Sequence, residues 1–190
     1  MIKYISALKV LETQLDILSD DFKYIKDYNP IEHIKTRIKS ADSIIDKLER
    51  KKYEFNIENV EKHIFDIVGA RIVCSFENDV YDLVNIIKKS SIIKVIREKD
   101  YIVNPKESGY RSYHLIVEIP VELINEKTTV KAEIQIRTMA MDLWASLEHK
   151  IKYKSKTDID SSINNILLDA SNMLYELDKT MDNILIRKDS

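Results

Sequence analysis

The sequence predicts an α/β protein with a mixed sheet flanked by helices. Apolar residues recur at helical spacing near both ends of the chain. Between them, "IIKVIREKDYIV", "YHLIVEIPVEL" and "TVKAEIQIRT" follow one another as strand-like segments with no helical pattern intervening. A further strand-like run, "DIVGARIVCSF", is entered through a glycine and succeeded by a helical "VYDLVNIIKK". That order is not a repetitive strand–helix–strand chain.

In chain order, Tyr4, Leu8, Leu11, Leu15, Leu18, Phe22 and Ile25 alternate steps of four and three, which makes one apolar stripe on a long first helix within residues 1–28. Asn29-Pro30 stops it. A second helix is expected from about Ile31 to Lys51, and "NIENVEKH" reads as a short third. After the strands, "MAMDLWASLEHKIKYK" returns to helix, with Ala140, Trp144, Leu147 and Ile151 facing the core and Asp142 off that stripe. The last helix, within 158–188 and starting near Asp160, sets Ile163, Leu167, Ala170, Leu174, Leu177, Met181 and Ile184 at heptad spacing. The two terminal helices either pack on the sheet or each other, or assemble subunits.

At 190 residues the chain suits a single domain, 1–190, with a real core. Thirty Lys+Arg against 32 Asp+Glu give a formal charge of −2, so an anion-binding site must be local rather than a global field. The single cysteine, Cys74, lies in the apolar "ARIVCSF" and reads as a buried thiol. No stretch reaches membrane-spanning length, and the N-terminus is amphipathic, so a cytoplasmic protein without a membrane partner is expected.

Three segments carry chemistry. In "KAEIQIRT", alternation puts Glu133, Gln135 and Arg137 on one face of a strand. Asp66, just before the strand entered through Gly69, would with Glu133 form a hard-oxygen site suited to magnesium. Alone, an Asp in that position is a turn residue. "PKESGYRSYH" offers a ring at Tyr110 to stack on a base, Gly109 to allow close approach, and Lys106, Arg111 and His114 to meet phosphate. Asp142 could accept the two donors, N1 and N2, of guanine. "KTRIKSADSIIDKLERKK" adds Arg37, Lys39, Lys47 and Arg50, with Arg71 arriving from the strand after Asp66. On one regular helix Arg37 and Lys39 would diverge, so they converge only if the helix begins after them or bends.

"DIVGARI", "REKDYIVNPKESGYRSYH" and "EIQIRTMAMDLWASLEHK", in that order, resemble the synthetase domain of RelA/SpoT homologues, and the length resembles their single-domain small alarmone synthetases. The resemblance runs from about Pro30 to Lys154. It implies a nucleotidyltransferase-like mixed sheet and magnesium-dependent transfer of the β,γ-pyrophosphate of ATP to the 3′-hydroxyl of GTP or GDP, with GMP a further acceptor to test. Carried over, it makes Asp66 and Glu133 the metal ligands, with Glu133 assisting deprotonation. Tyr110 would stack on guanine, and Lys106, Ser112, His114 and Gln135 would hold the acceptor. Arg37, Lys39, Ser43, Lys47 and Arg71 would hold ATP, with Lys99 near the transferred phosphates. Ser108 stands where many relatives have Asn, and Asp142 where some do. The four histidines have no adjacent Asp, so the family's hydrolase activity is not expected. The resemblance also implies a homotetramer built through the terminal helices, and product acting as an alarmone effector between subunits. The competing reading is a non-catalytic nucleotide or single-stranded RNA binder.

Overall fold

The computed structural model describes residues 1–25, 28–154 and 161–188. Helix α1 (Ile2–Ile25) leads into strand β1 (Ile31–Ile38), helices α2 (Ala41–Arg50) and α3 (Ile57–His63), strand β2 (Val68–Cys74) and helix α4 (Glu77–Lys88). Strands β3 (Lys94–Asp100), β4 (Tyr113–Leu123) and β5 (Glu126–Thr138) follow, then helices α5 (Met139–Lys154) and α6 (Ser161–Lys188). The five strands form one sheet in the order β1-β2-β5-β4-β3. Only β2 and β5 run parallel; the other neighbours are antiparallel. The mixed α/β architecture is thus the expected one.

Strand alternation divides the sheet into a dry face and a polar one. Ala70, Ile72 and Cys74 of β2, Ala132, Ile134 and Ile136 of β5, and Leu115, Val117 and Ile119 of β4 join one buried cluster. Ala7, Leu11, Leu15 and Phe22 of α1 and Val80, Leu83, Val84 and Ile87 of α4 close it. The α1 stripe therefore packs on the sheet, apart from Ile25, which is exposed. A second cluster, Ile44, Leu48, Ile64 and Ile67, seats α2 and α3 beside β1 and β2. Ser40 caps α2 by accepting from the Ser43 backbone N–H, and Asn56 caps α3 in the same way.

The expected single helix over 31–51 is instead a strand followed by a helix. A bulge between Ile31 and His33 inserts one residue into β1, so Ile31, Ile34, Thr36 and Ile38 all turn inward. Their spacing of three before two mimics a helical step. The true helix starts at Ala41, beyond Arg37 and Lys39.

Two further stripes differ from expectation. Helix α5 buries Met141, Trp144 and Ala145, while Leu147 and Ile151 stay exposed. Helix α6 packs inward through Leu167, Ser171, Asp178 and Asp182, with Ala170 and Leu174 partly buried. Its apolar Ile166, Met173, Leu177, Met181 and Ile184 face outward. The expected start of this helix near Asp160 lies outside the described residues.

Candidate active site

On the polar face, pairing lines side chains into two rows across the sheet. One row runs Arg37, Gly69, Glu133, Ile116, Arg97; the next runs Lys35, Arg71, Gln135, His114, Lys99. Directly paired residues point to the same face, so both edge strands contribute cations and the centre contributes one carboxylate. Gly69, beside Glu133, has room for a methyl: an added Cβ would meet Arg37 Cγ at 3.8 Å and the Glu133 carbonyl at 4.0 Å, ordinary contact distances.

Asp66 sits two residues before β2 and reaches this face. Lys39 Nζ donates to its Oδ2 at 3.1 Å, and Lys47 Nζ lies 2.8 Å from Oδ1. The second contact is an ion pair off the hydrogen-bond axis, leaving Oδ1 buried without a hydrogen bond. Burial pushes the Asp66 carboxyl up, but the Lys47 and Lys39 ammonium groups more than offset it and hold it below its ordinary value. Burial also opposes ionisation of Glu133, and His114 and Gln135 overcome it: His114 Nδ1 is 3.3 Å from Oε1 and Gln135 Nε2 donates to Oε2 at 2.8 Å. Both carboxylates are charged at neutral pH.

Two cavities meet at this pair. One, of about 400 Å³, is lined by Lys47, Phe65, Asp66, Arg97, Glu98, Lys99, Tyr101, Lys106, Tyr110, His114, Ile116, Glu133 and Gln135. The other, of about 260 Å³, is lined by Lys35, Thr36, Arg37, Asp66, Gly69, Ala70, Arg71, Glu133 and Gln135. Asp66, Glu133 and Gln135 form the shared wall. Among the described residues no three His, Cys, Asp or Glu side chains group as a metal cluster. Asp66 and Glu133 fit the kind of cation that takes one or two carboxylates and completes its shell with water and phosphate.

Behind the larger cavity runs a chain of polar contacts. Arg137 NH2 donates to the Tyr110 hydroxyl at 2.7 Å and to Gln135 Oε1 at 2.9 Å. The Tyr110 oxygen lies 2.8 Å from His114 Nε2. Arginine only donates, so the Tyr110 oxygen accepts from Arg137; a carboxylate only accepts, so Glu133 sets the histidine tautomer and leaves Nε2 to accept from the Tyr110 hydroxyl. In the neutral ring the histidine proton then sits on Nδ1, facing Glu133. The Tyr110 ring is backed by the Trp144, Ala145 and Leu167 cluster of α5 and α6, and Lys106 Nζ stands 4.5 Å from its centre.

The structure thus brings together most of the residues singled out in the sequence. Lys47, Lys99, Lys106, Tyr110, His114 and Gln135 line one cavity, Arg37 and Arg71 the other, and Lys39 contacts Asp66. Five placements differ. Arg50 donates back to the Asp46 carbonyl of its own helix and lines neither cavity. Ser112 is fully buried and donates to the Ile136 carbonyl at 3.1 Å, so it holds β4 to β5 rather than a ligand. Ser43 receives the Ser40 hydroxyl in the first turn of α2, off both cavity walls. Asp142 faces Arg137 and Arg71, at 3.1 and 3.4 Å, and lines neither cavity. Arg111 turns away, donating to the Ile102 carbonyl and stacking on Tyr175 of α6.

Gly109 also has a different use: its φ of +87° permits the turn, and an added Cβ would come within 2.8 Å of Ser171 Cβ. The close approach is to α6, not to a base. Arg97 and Tyr101 also line the larger cavity and were missed, although Arg97 opens the "REKD" run and Tyr101 follows it.

The sequence matches the family described as "Region found in RelA / SpoT proteins" over residues 36–158. The chain belongs to the RelA/SpoT family. It is 47% identical to the GTP pyrophosphokinase YwaC of Bacillus subtilis over 181 residues, covering 95% of this chain and 86% of that protein. Its fold is similar to the crystal structure of small alarmone synthetase 1 from Bacillus subtilis bound to its product pppGpp. There the TM-score is 0.90 and the identity 34%, with 98% of this chain and 94% of the other covered. The same enzyme bound to AMPCPP matches with a TM-score of 0.83 at 32% identity, covering 99% and 95%.

Proposed function

We propose that this RelA/SpoT protein is a magnesium-dependent GTP/GDP diphosphokinase, moving the β,γ-pyrophosphate of ATP to the 3′-hydroxyl of a guanosine nucleotide to make an alarmone. The carrying observation is that two cavities, each edged with cations, share one wall made of Asp66 and Glu133. Names of the relatives, GTP pyrophosphokinase and small alarmone synthetase, support the same reading.

Arg37 and Arg71 suit the smaller cavity to ATP, since guanidinium planes stack on a purine and bind phosphate. Tyr110 suits the larger to guanine, with Lys106 beside it for the acceptor's own phosphates. A magnesium ion held by Asp66 and Glu133 would neutralise phosphate charge and draw the two nucleotides together. Lys39 and Lys47, which contact Asp66, stand where they would meet the phosphates of a bound nucleotide. Glu133 takes the 3′-hydroxyl proton, steered by His114 and Gln135, as the oxygen bonds to the β-phosphorus and AMP leaves. Two polyanions must approach each other, so positioning and neutralisation carry most of the rate.

Homotetramer assembly through the terminal helices is part of the proposal, supported by the outward apolar residues of α6. No helix among the described residues is long and apolar enough to cross a membrane. The test is thin-layer chromatography of labelled ATP with GMP, GDP or GTP and magnesium. A 3′-pyrophosphorylated guanosine product supports the assignment; nucleotide binding with no product from any acceptor overturns it.

A further inference from the structure

Arg137 and Asp142 line neither cavity, yet they touch residues of both. The Arg137 side chain is 5% exposed and that of Asp142 17%. From Asp142 Oδ1 one contact goes to Arg71 NH1 in the ATP cavity, at 3.4 Å, and another to Arg137 NH1, at 3.1 Å. The other arm of the same guanidinium holds Tyr110 and Gln135 in the acceptor cavity, at 2.7 and 2.9 Å. Because the guanidinium is planar and rigid, moving one arm moves the other.

We infer that the Arg137–Asp142 pair is a positioning device coupling the two nucleotide cavities, so that ordering Arg71 around one nucleotide orders Tyr110 around the other. The inference rests on the reading that these cavities hold ATP and a guanosine nucleotide. It replaces the expectation that Asp142 reads the guanine edge.

The electrostatics give the device its direction. Two guanidinium groups share one carboxylate. Burial and then the Arg137 charge push the Arg71 guanidinium pKa down, and Asp142 opposes them. Without that carboxylate two like charges are neighbours, and only Arg71, 36% exposed, is free to swing toward water. Arg71 then leaves the ATP cavity, while Arg137 keeps at most a neutral acceptor, which fixes its plane less firmly than the carboxylate does. An asparagine keeps one acceptor oxygen for Arg137, so Asp142→Asn preserves the fold.

The test is calorimetry, with a non-hydrolysable ATP analogue and GDP titrated separately and then each in the presence of the other. In the wild type each nucleotide tightens the other several-fold, about the usual size of a coupling between sites. Asp142→Asn is expected to weaken both nucleotides, by about tenfold for a lost charged contact, and to bring the coupling ratio to one. Tyr110→Phe, which removes only the hydroxyl that Arg137 holds, is expected to bring the ratio to one with the ring still present. Preference for GDP over inosine diphosphate, which lacks the N2 amine, stays unchanged in Asp142→Asn.

A loss confined to GDP, or a loss of that preference, overturns the inference in favour of direct guanine contact. A wild-type ratio of one, or a ratio that survives both substitutions, overturns it as well. If wild type binds neither nucleotide, the cavity reading fails and takes the inference with it; if it binds both uncoupled, only the inference fails.

Discussion

Replacing Asp66 with asparagine separates the proposed catalytic role of this residue from its structural one. In the folded chain Asp66 is flanked by Lys39 Nζ at 3.1 Å and Lys47 Nζ at 2.8 Å, and its side chain is 14% exposed. Breaking a fully buried pair costs about 3–5 kcal/mol, whereas exposed pairs are worth about 0–1 kcal/mol. With Lys47 29% exposed, the expected cost lies between, at about 2 kcal/mol, or a fall of about 4–8 °C in Tm for a chain of this length. The folded pKa of Asp66 is depressed. Its contribution is therefore present above the unfolded value of about 3.9 and disappears as pH falls through the folded value. The gap in urea stability between wild type and Asp66→Asn is expected to be full at pH 7 and to close on acidification below about pH 4. Synthesis from labelled ATP and GDP should fall by at least about 10³-fold, equivalent to about 4 kcal/mol of barrier, while circular dichroism stays native. Turnover above about 1% of wild type would sink the proposed role of this carboxylate, and a gap that widens in acid would sink the ion-pair account.

Tyr110→Ala removes the ring between Lys106 and the α5–α6 cluster and should raise KM for the guanosine nucleotide by about tenfold or more, about the value of one base–aromatic stack. Unchanged KM in steady-state assays would remove the stacking role. Gly69→Ala adds a methyl at ordinary contact distance from Arg37 and the Glu133 carbonyl; it should leave Tm within about 2 °C yet weaken ATP-analogue binding more than GDP binding in calorimetry. Asp178 on α6 has its carboxyl pKa raised to about 6, by burial first and then by the charges of Glu77 and Asp182, against a lowering hydrogen bond from Thr138. Its folded value exceeds its unfolded one, so stability is lost as pH rises between about 4 and 6. Asp178→Asn should therefore raise Tm at pH 8, by a few degrees, and leave it nearly unchanged at pH 4. An equal effect at both pH values in scanning calorimetry would refute this.

The residues show why some of this was legible from the sequence and some was not. Period-two alternation in "KAEIQIRT" forecast one face carrying Glu133, Gln135 and Arg137, because a strand paired on both sides has no freedom to rotate. Asp66 and Glu133 share a wall as expected. Strand β1 was misread because its bulge converts a strand's spacing into a helix's. Helix α5 was assigned the wrong inward stripe, since Leu147 and Ile151 are as apolar as the Met141 and Ala145 that are buried. Periodicity set Asp142 off the apolar stripe but could not name what it faces: its orientation follows from Arg71 and Arg137, which come from two different strands. Ser112 and Gly109 looked like binding-loop residues because hydroxyls and glycines suit such loops, but β5 and α6 claim both through long-range contacts. Tertiary partners, not local pattern, decide such cases.

The two outermost strands have one further property. An edge strand offers unpaired backbone groups to any passing strand, and long charged side chains on that strand are a common defence against such pairing. Here β1 carries Lys35 and Arg37, and β3 carries Arg97 and Lys99, all of which line the two cavities. The same cations that would receive nucleotide phosphates thus guard the margins of the sheet, so neutralising them to probe catalysis would also remove a barrier to aggregation.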